Sequence, residues 1–331
     1  MKPVKVRAFY RSAEVQGHPA PYATLSLKVY YPCHYTDSFE ERNTGFIPAD
    51  TDRAPFPVVI IMPGINVSHE AYAWLARRLA KAGFAVVTYS WIAREMGDLV
   101  SISPGVNIPQ LTFEEFGSGP SCPALPTLLQ ELERINSDSL LTGLLDLEHI
   151  VLGGHSAGGT MALLNAHPAW FPGVCGVFSY AAHTAANVQL GWNADSIMPI
   201  SPDIPVLLIG GSRDGVIAAS SHRYGDDNDS QPTERIERTF QEGISGDRGD
   251  RFLMIIEGAN HFSFVHPRDD STGRPFLDWK VSGSSKLIRK QIARLVTAFC
   301  HYSCTPDPTT EQSLRELCSS QHPQAALAAC K

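Results

Sequence analysis

Long apolar runs, clustered positive charge and metal-type cysteine spacing are all missing from this chain, and each absence removes a class of function. No stretch approaches the roughly 20 apolar residues that a bilayer span requires. Lys+Arg number 27 against 34 Asp+Glu, a net charge of −7, and no Lys/Arg-rich run interrupts that balance. Nucleic acid and anionic membrane are therefore not expected as main partners. Met1-Lys2-Pro3-Val4 is not followed by the hydrophobic stretch of a secretory leader, so a cytoplasmic setting is expected. There is no G-x-G-x-x-G, and residues 153–160 lack the Gly-Lys-Ser/Thr ending of a phosphate-cradling loop.

Cysteine is scarce in the body of the chain and crowded at its end. Cys33, Cys122 and Cys175 are scattered, whereas Cys300, Cys304, Cys318 and Cys330 fall within the last helix and tail. An odd total leaves at least one thiol unpaired in a monomer, and no pair-of-pairs or histidine spacing suggests zinc. Buried free thiols, with room for one tail disulfide, are expected. Asp226-Asp227-Asn228-Asp229 has the carboxylates of a calcium loop without its central glycine. Neither a metal nor a cofactor is expected.

What is present is an ordinary globular composition, 43% hydrophobic and 18% charged, enough for a substantial core. Apolar runs bounded by turn residues alternate with amphipathic helix patterns. Residues 4–9, 26–31, 57–62, 84–89, 150–153, 174–180, 206–210 and 252–256 read as strands. Helices are expected over 71–82, 125–135 and 157–165, and the spacing of Ile288, Ile292, Leu295, Val296 and Phe299 gives a closing one. Near-continuous apolar strands alternating with helices predict an α/β architecture, a mainly parallel central sheet with helices on both faces. One domain is expected over residues 1–302, followed by a Cys-containing C-terminal tail at 303–331. Within the domain, 90–123 reads as an apolar loop walling the active site, and 222–250 as a solvated polar excursion.

In such sheets functional residues lie just beyond the carboxyl ends of strands. Gly154-His155-Ser156-Ala157-Gly158 meets that rule: strand, G-x-S-x-G, helix is the setting of a nucleophile elbow. Glycines two residues either side of Ser156 keep a Cβ from colliding with the neighbouring strand or helix. A serine hydroxyl needs a base, usually histidine, oriented by a carboxylate, and this architecture orders them Ser, acid, His. Asp214 follows the strand at 206–210, and His261 follows the strand at 252–256. Asp195 and Asp203, on an earlier excursion, are alternative acids. The oxyanion of acyl transfer calls for preorganised N–H donors, expected from the backbone of Ala157 and of Ile65 in the turn after Met62. His155 and His183 are candidates to line the cleft, with Phe113, Phe116 and Trp192 forming a lipophilic wall.

These residues resemble the α/β-hydrolase family, and the likeness runs from about residue 4 to 299. The stretch 56–68 followed by Tyr72, Leu75-Ala76, Leu79-Ala80 and Gly83-Phe84 is similar to the branch of dienelactone hydrolases, cutinase-like polyester hydrolases, platelet-activating-factor acetylhydrolases and chlorophyllases. The resemblance implies a serine esterase without a large helical cap. Ser156 argues against dienelactone hydrolysis proper, whose nucleophile is cysteine. Gly154-His155-Ser156 with Gly158-Gly159 is similar to the chlorophyllase elbow. The apolar side chains of 90–123 predict a hydrophobic small-molecule ester, and the chlorophyllase likeness implies a long-chain or isoprenoid alcohol. A short-chain or polyester-type esterase is the alternative within the enzymes. A catalytically silent binding module of the same fold is the alternative outside them.

Overall fold

The structure, a computed structural model, describes residues 4–96, 99–201, 203–225 and 231–331. The acidic run 226–229 lies outside them. The chain opens with β1 (Lys5–Glu14) and β2 (Thr24–Cys33), an antiparallel pair, then α1 (Phe39–Thr44). Next come β3 (Phe56–Met62), α2 (Ala73–Lys81), β4 (Ala85–Met96), β5 (Leu99–Ser103) and α3 (Ala124–Ser137). The middle is β6 (Leu145–His155), α4 (Ala157–Asn165), β7 (Val174–Tyr180), β8 (Val206–Gly211), α5 (Gly215–Ala218) and α6 (Glu234–Arg238). β9 (Arg251–Ile256), α7 (Ser285–Cys304), α8 (Pro308–Leu317) and β10 (Ala325–Cys330) complete it.

The strands form one sheet in the order β1-β2-β4-β3-β6-β7-β8-β9-β10, with β5 paired to β4. From β4 to β9 every neighbouring pair on that path is parallel. This is the α/β-hydrolase fold. Side chains alternate across a strand, and here the alternation sorts two cores. Val58, Ile60 and Met62 of β3 join Leu125, Leu128 and Leu132 of α3 on one face. Val59 and Ile61 join Leu75 and Leu79 of α2 and Ile292, Leu295 and Phe299 of α7 on the other. Strands buried on both faces leave no room for polar positions, which is why they read as continuous apolar runs. Among the described residues no helical domain is inserted over the strand ends, and no helix is long and apolar enough to cross a membrane.

Three expected boundaries change. The 90–123 segment is not all loop: β4 continues to Met96 and folds back through β5 as an antiparallel hairpin. The hairpin alternates, with Trp91 and Ala93 buried while Ile92 and Arg94 face solvent. The 222–250 segment carries α6, and its charged sequence hides Arg235, Ile236, Thr239 and Phe240 in the interior. Residues 303–331 are no appendage. α8 packs Leu314 and Leu317 into the second core, and β10 pairs antiparallel with β9 as the sheet's edge. All seven cysteines are free thiols, with only Cys330 exposed and Cys175 half-buried.

Candidate active site

β6 ends at His155 and α4 begins at Ala157, so a single residue turns strand into helix. Ser156 makes that turn at φ 54°, ψ −127°. Side chains rarely occupy such a conformation, which costs about 1–3 kcal/mol and persists only where the surroundings over-determine it. They do so here. A Cβ on Gly154 would stand 2.3 Å from the Gly158 carbonyl oxygen, and one on Gly158 2.3 Å from that of Met62. The Ser156 N–H donates to the Tyr180 carbonyl at 3.0 Å, tying the turn to β7.

The turn after β3 lies against this elbow. A Cβ on Gly64 would sit 3.3 Å from the Ser156 Cβ and 2.9 Å from His155 Nδ1. The Gly64 N–H donates to the Tyr72 hydroxyl at 2.9 Å, and that hydroxyl donates onward to His155 Nδ1 at 3.1 Å. His155 Nε2–H in turn donates to the His261 carbonyl at 3.0 Å. This chain needs a neutral imidazole, and burial holds the His155 pKa well below its usual value. His155 therefore does not line the cleft. It is fully buried with both ring nitrogens engaged, between the turn after β3 and the loop after β9. Its neighbours are aromatic: Phe264 stacks on it at 5.9 Å and on Tyr180 at 5.1 Å.

Beyond Gly64, the backbone N–H groups of Ile65 and Ala157 donate to no partner among the described residues. Asn66 fixes the turn from outside. It sits at φ 58°, and its N–H donates to the Ile102 carbonyl at 2.9 Å. Its side-chain oxygen accepts from the Ile102 N–H at 3.2 Å, and its carbonyl from the Thr272 hydroxyl at 3.0 Å. Asparagine tolerates the left-handed region because its short polar side chain can bond locally. The β4–β5 hairpin thus braces the donor turn.

Asp214 follows β8 at the N-cap of α5, where it accepts the Ile217 N–H at 2.8 Å. The carboxylate also accepts from His261 Nδ1–H, at 2.9 Å to Oδ2 and 3.1 Å to Oδ1. Both side chains are buried. With Nδ1 protonated toward the carboxylate, Nε2 is the free acceptor nitrogen of the ring. The alternative acids stand elsewhere: Asp195 is exposed and pairs with Arg238, and Asp203 is exposed beside Ser201.

The expected substrate contacts divide. His183 is buried, its ring edge-on to Tyr224 at 4.9 Å. Burial, with the positive charge of Arg235 beside it, pushes its pKa down to about 3. Trp192 receives Phe113 and Phe116 edge-on at 5.2 and 5.4 Å and donates its indole N–H to the Leu111 carbonyl at 2.8 Å. Val106, Leu111, Phe116 and Trp192 pack onto the α3 core, which corrects the picture of a wholly cleft-facing wall. Phe113, 60% exposed, and Leu99, 71% exposed, remain at the surface with Ile65. None of the hydrogen bonds or ring contacts of Phe113, Phe116 and Trp192 reaches Ser156, Asp214 or His261. Tyr72 and Asn66 escaped the sequence reading as site residues. Tyr72 enters that reading only through the family resemblance and Asn66 not by name, since neither carries a chemical signal of its own.

No protein-family model matches the chain. It is 24% identical over 222 residues to a bis(hydroxyethyl) terephthalate hydrolase of Streptomyces coelicolor, an alignment covering 66% of this chain and 55% of that relative. The chain thus spans about half the length of the curated relative it resembles.

Proposed function

We propose that this protein is a serine carboxylic-ester hydrolase working through Ser156, His261 and Asp214 and an acyl-enzyme. The observation that carries this reading is the buried His261–Asp214 hydrogen bond, whose loops follow β8 and β9 at the same carboxyl edge of the sheet as the strained Ser156 turn after β6. His261 Nε2 takes the Ser156 proton as Oγ attacks the ester carbonyl carbon. The N–H groups of Ile65 and Ala157 hold the oxyanion; each such donor is worth on the order of 3 kcal/mol in transition-state stabilisation. The imidazolium, stabilised by Asp214, then protonates the departing alcohol. Water repeats the sequence on the acyl-enzyme and releases the acid.

The substrate is a hydrophobic ester. Ile65, Leu99 and Phe113 leave apolar surface on the active-site side of the sheet, and each methylene buried there adds about 0.8 kcal/mol. The relative's named substrate is an aromatic diester, which favours a terephthalate- or polyester-type substrate over a phytyl ester. The chlorophyllase-like elbow keeps the phytyl ester as the narrower alternative. A fluorophosphonate probe should label Ser156 in the folded protein, and Ser156→Ala should lower p-nitrophenyl ester turnover by at least about a thousandfold. No adduct in folded protein would instead mark a silent binding module, and turnover by Ser156→Ala within tenfold of wild type would remove the serine mechanism. A panel of p-nitrophenyl, terephthalate and phytyl esters then ranks the substrates.

A further inference from the structure

A second carboxylate stands behind the Asp214–His261 pair. Asp278 Oδ1 accepts the N–H of Gly215, the residue after the acid, and the N–H of His261 itself, each at 3.2 Å. Its Oδ2 accepts the Phe262 N–H, also at 3.2 Å. The segment that carries it is laced to the same two loops. Arg213 Nε–H donates to the Lys280 carbonyl and the Asn260 side-chain amide to the Trp279 carbonyl, both at 2.6 Å. The Ser282 N–H donates to the Gly258 carbonyl at 2.9 Å. Gly215 lies so close that a Cβ there would meet the Leu277 carbonyl oxygen at 2.4 Å.

We propose that Asp278 is a positioning residue of this site: one carboxylate fixes the main chain on both sides of the Asp214–His261 hydrogen bond and adds negative charge behind the imidazole. The inference rests on the esterase reading above. Without Asp278 the His261 N–H loses its acceptor, and the acid and base loops lose one of the anchors they share. The groups facing Asp278 are the Asp214 carboxylate, the His261 imidazole and the Tyr180 phenol, with Arg274 near Asp214. Burial and the Asp214 charge raise the Asp278 pKa from 3.8 to about 6, against the pull of His261. Above that pH two carboxylates stabilise the imidazolium formed during ester cleavage; below it, only Asp214 does.

The test compares wild type, Asp278→Asn and Ser156→Ala on p-nitrophenyl butyrate from about pH 5 to 9, with thermal melts alongside. Asp278→Asn should lower kcat about tenfold or more while leaving KM within about twofold, since substrate does not touch the residue. Its acid limb of kcat/KM should move down by about half a pH unit, because a negative charge that favoured the imidazolium is gone. The wild-type profile should carry an ionisation at about 6 from Asp278 that Asp278→Asn lacks. A kcat within twofold of wild type, or a loss of kcat with an unmoved limb, overturns the proposal while the serine mechanism stands. If Asp278→Asn does not fold, the wild-type profile decides alone, and a profile with a single ionisation overturns it. Activity retained by Ser156→Ala removes the esterase reading, and this inference with it.

Discussion

Tyr72 illustrates how a side chain remote in sequence can govern a reaction it does not join. Its hydroxyl accepts from Gly64 and donates to His155, so one oxygen serves both the turn bearing the Ile65 donor and the elbow. Tyr72→Phe removes that oxygen and leaves the Gly64 N–H and His155 Nδ1 buried without partners. A buried unsatisfied group costs about 1–3 kcal/mol, so both stability and kcat should fall, the latter about tenfold. The melt and the kcat–KM split check this; unchanged kcat would mean that the turn holds itself. Asp278 shows the opposite balance. Its folded pKa lies above the value in the unfolded chain, so the folded state holds the extra proton between about 4 and 6. Stability from this group is present below its unfolded pKa and lost as pH rises through about 6. At working pH the residue therefore costs the fold something, which fits a role in catalysis rather than in stability.

At the scale of elements, the sequence was most readable where burial is simplest. β3, β7, β8 and β9 are packed on both faces and were visible as apolar runs; α7 showed a single apolar stripe. The post-strand rule then picked out Ser156, Asp214 and His261 as candidates without any contact information. β10 could not be seen that way. Ala325-Ala326-Leu327-Ala328-Ala329-Cys330 has neither β-branched residues nor a clear alternation. It becomes a strand because β9 offers an open ladder, a tertiary cause with no local signature. The hairpin of β4 and β5 was masked by an exposed Ile92, and α6 by the charges around Ile236. Deleting residues 305–331 should show what the edge contributes. It uncovers β9 and strips out Leu314 and Leu317, whose burial is worth about 1.5–3 kcal/mol each. A melting point several degrees lower and concentration-dependent aggregation are expected. A melt within about two degrees of the full chain would show β10 and α8 to be dispensable.

For the molecule as a whole, one sheet separates two apolar cores, and the site occupies the edge where both end. The helices bury the sheet, while the loops at its carboxyl edge are held by polar links that cross between them: Gly64 through Tyr72 to His155 and on to His261, Asn66 to Ile102 and Thr272, Asp278 to Gly215 and His261. These links join segments up to 206 residues apart in sequence. No local pattern could announce such pairings, since each partner is an ordinary polar residue until the sheet brings it to the same edge. The candidate residues were legible because their types are few and their expected chain order is fixed; the links that hold them were not.

The backbone of Ser156 makes the proposed nucleophile a thermodynamic burden. At φ 54°, alanine inherits the strain and glycine escapes it. Ser156→Gly should relieve about 1–3 kcal/mol and return roughly 0.5–1 through the freer unfolded chain. The glycine variant should thus melt a few degrees above wild type, and the alanine variant close to it. Equal melting points for all three would mean the turn is held without strain. A higher one for glycine would make that variant the better vehicle for trapping uncleaved substrate, and would measure directly how much durability this protein gives up to be reactive.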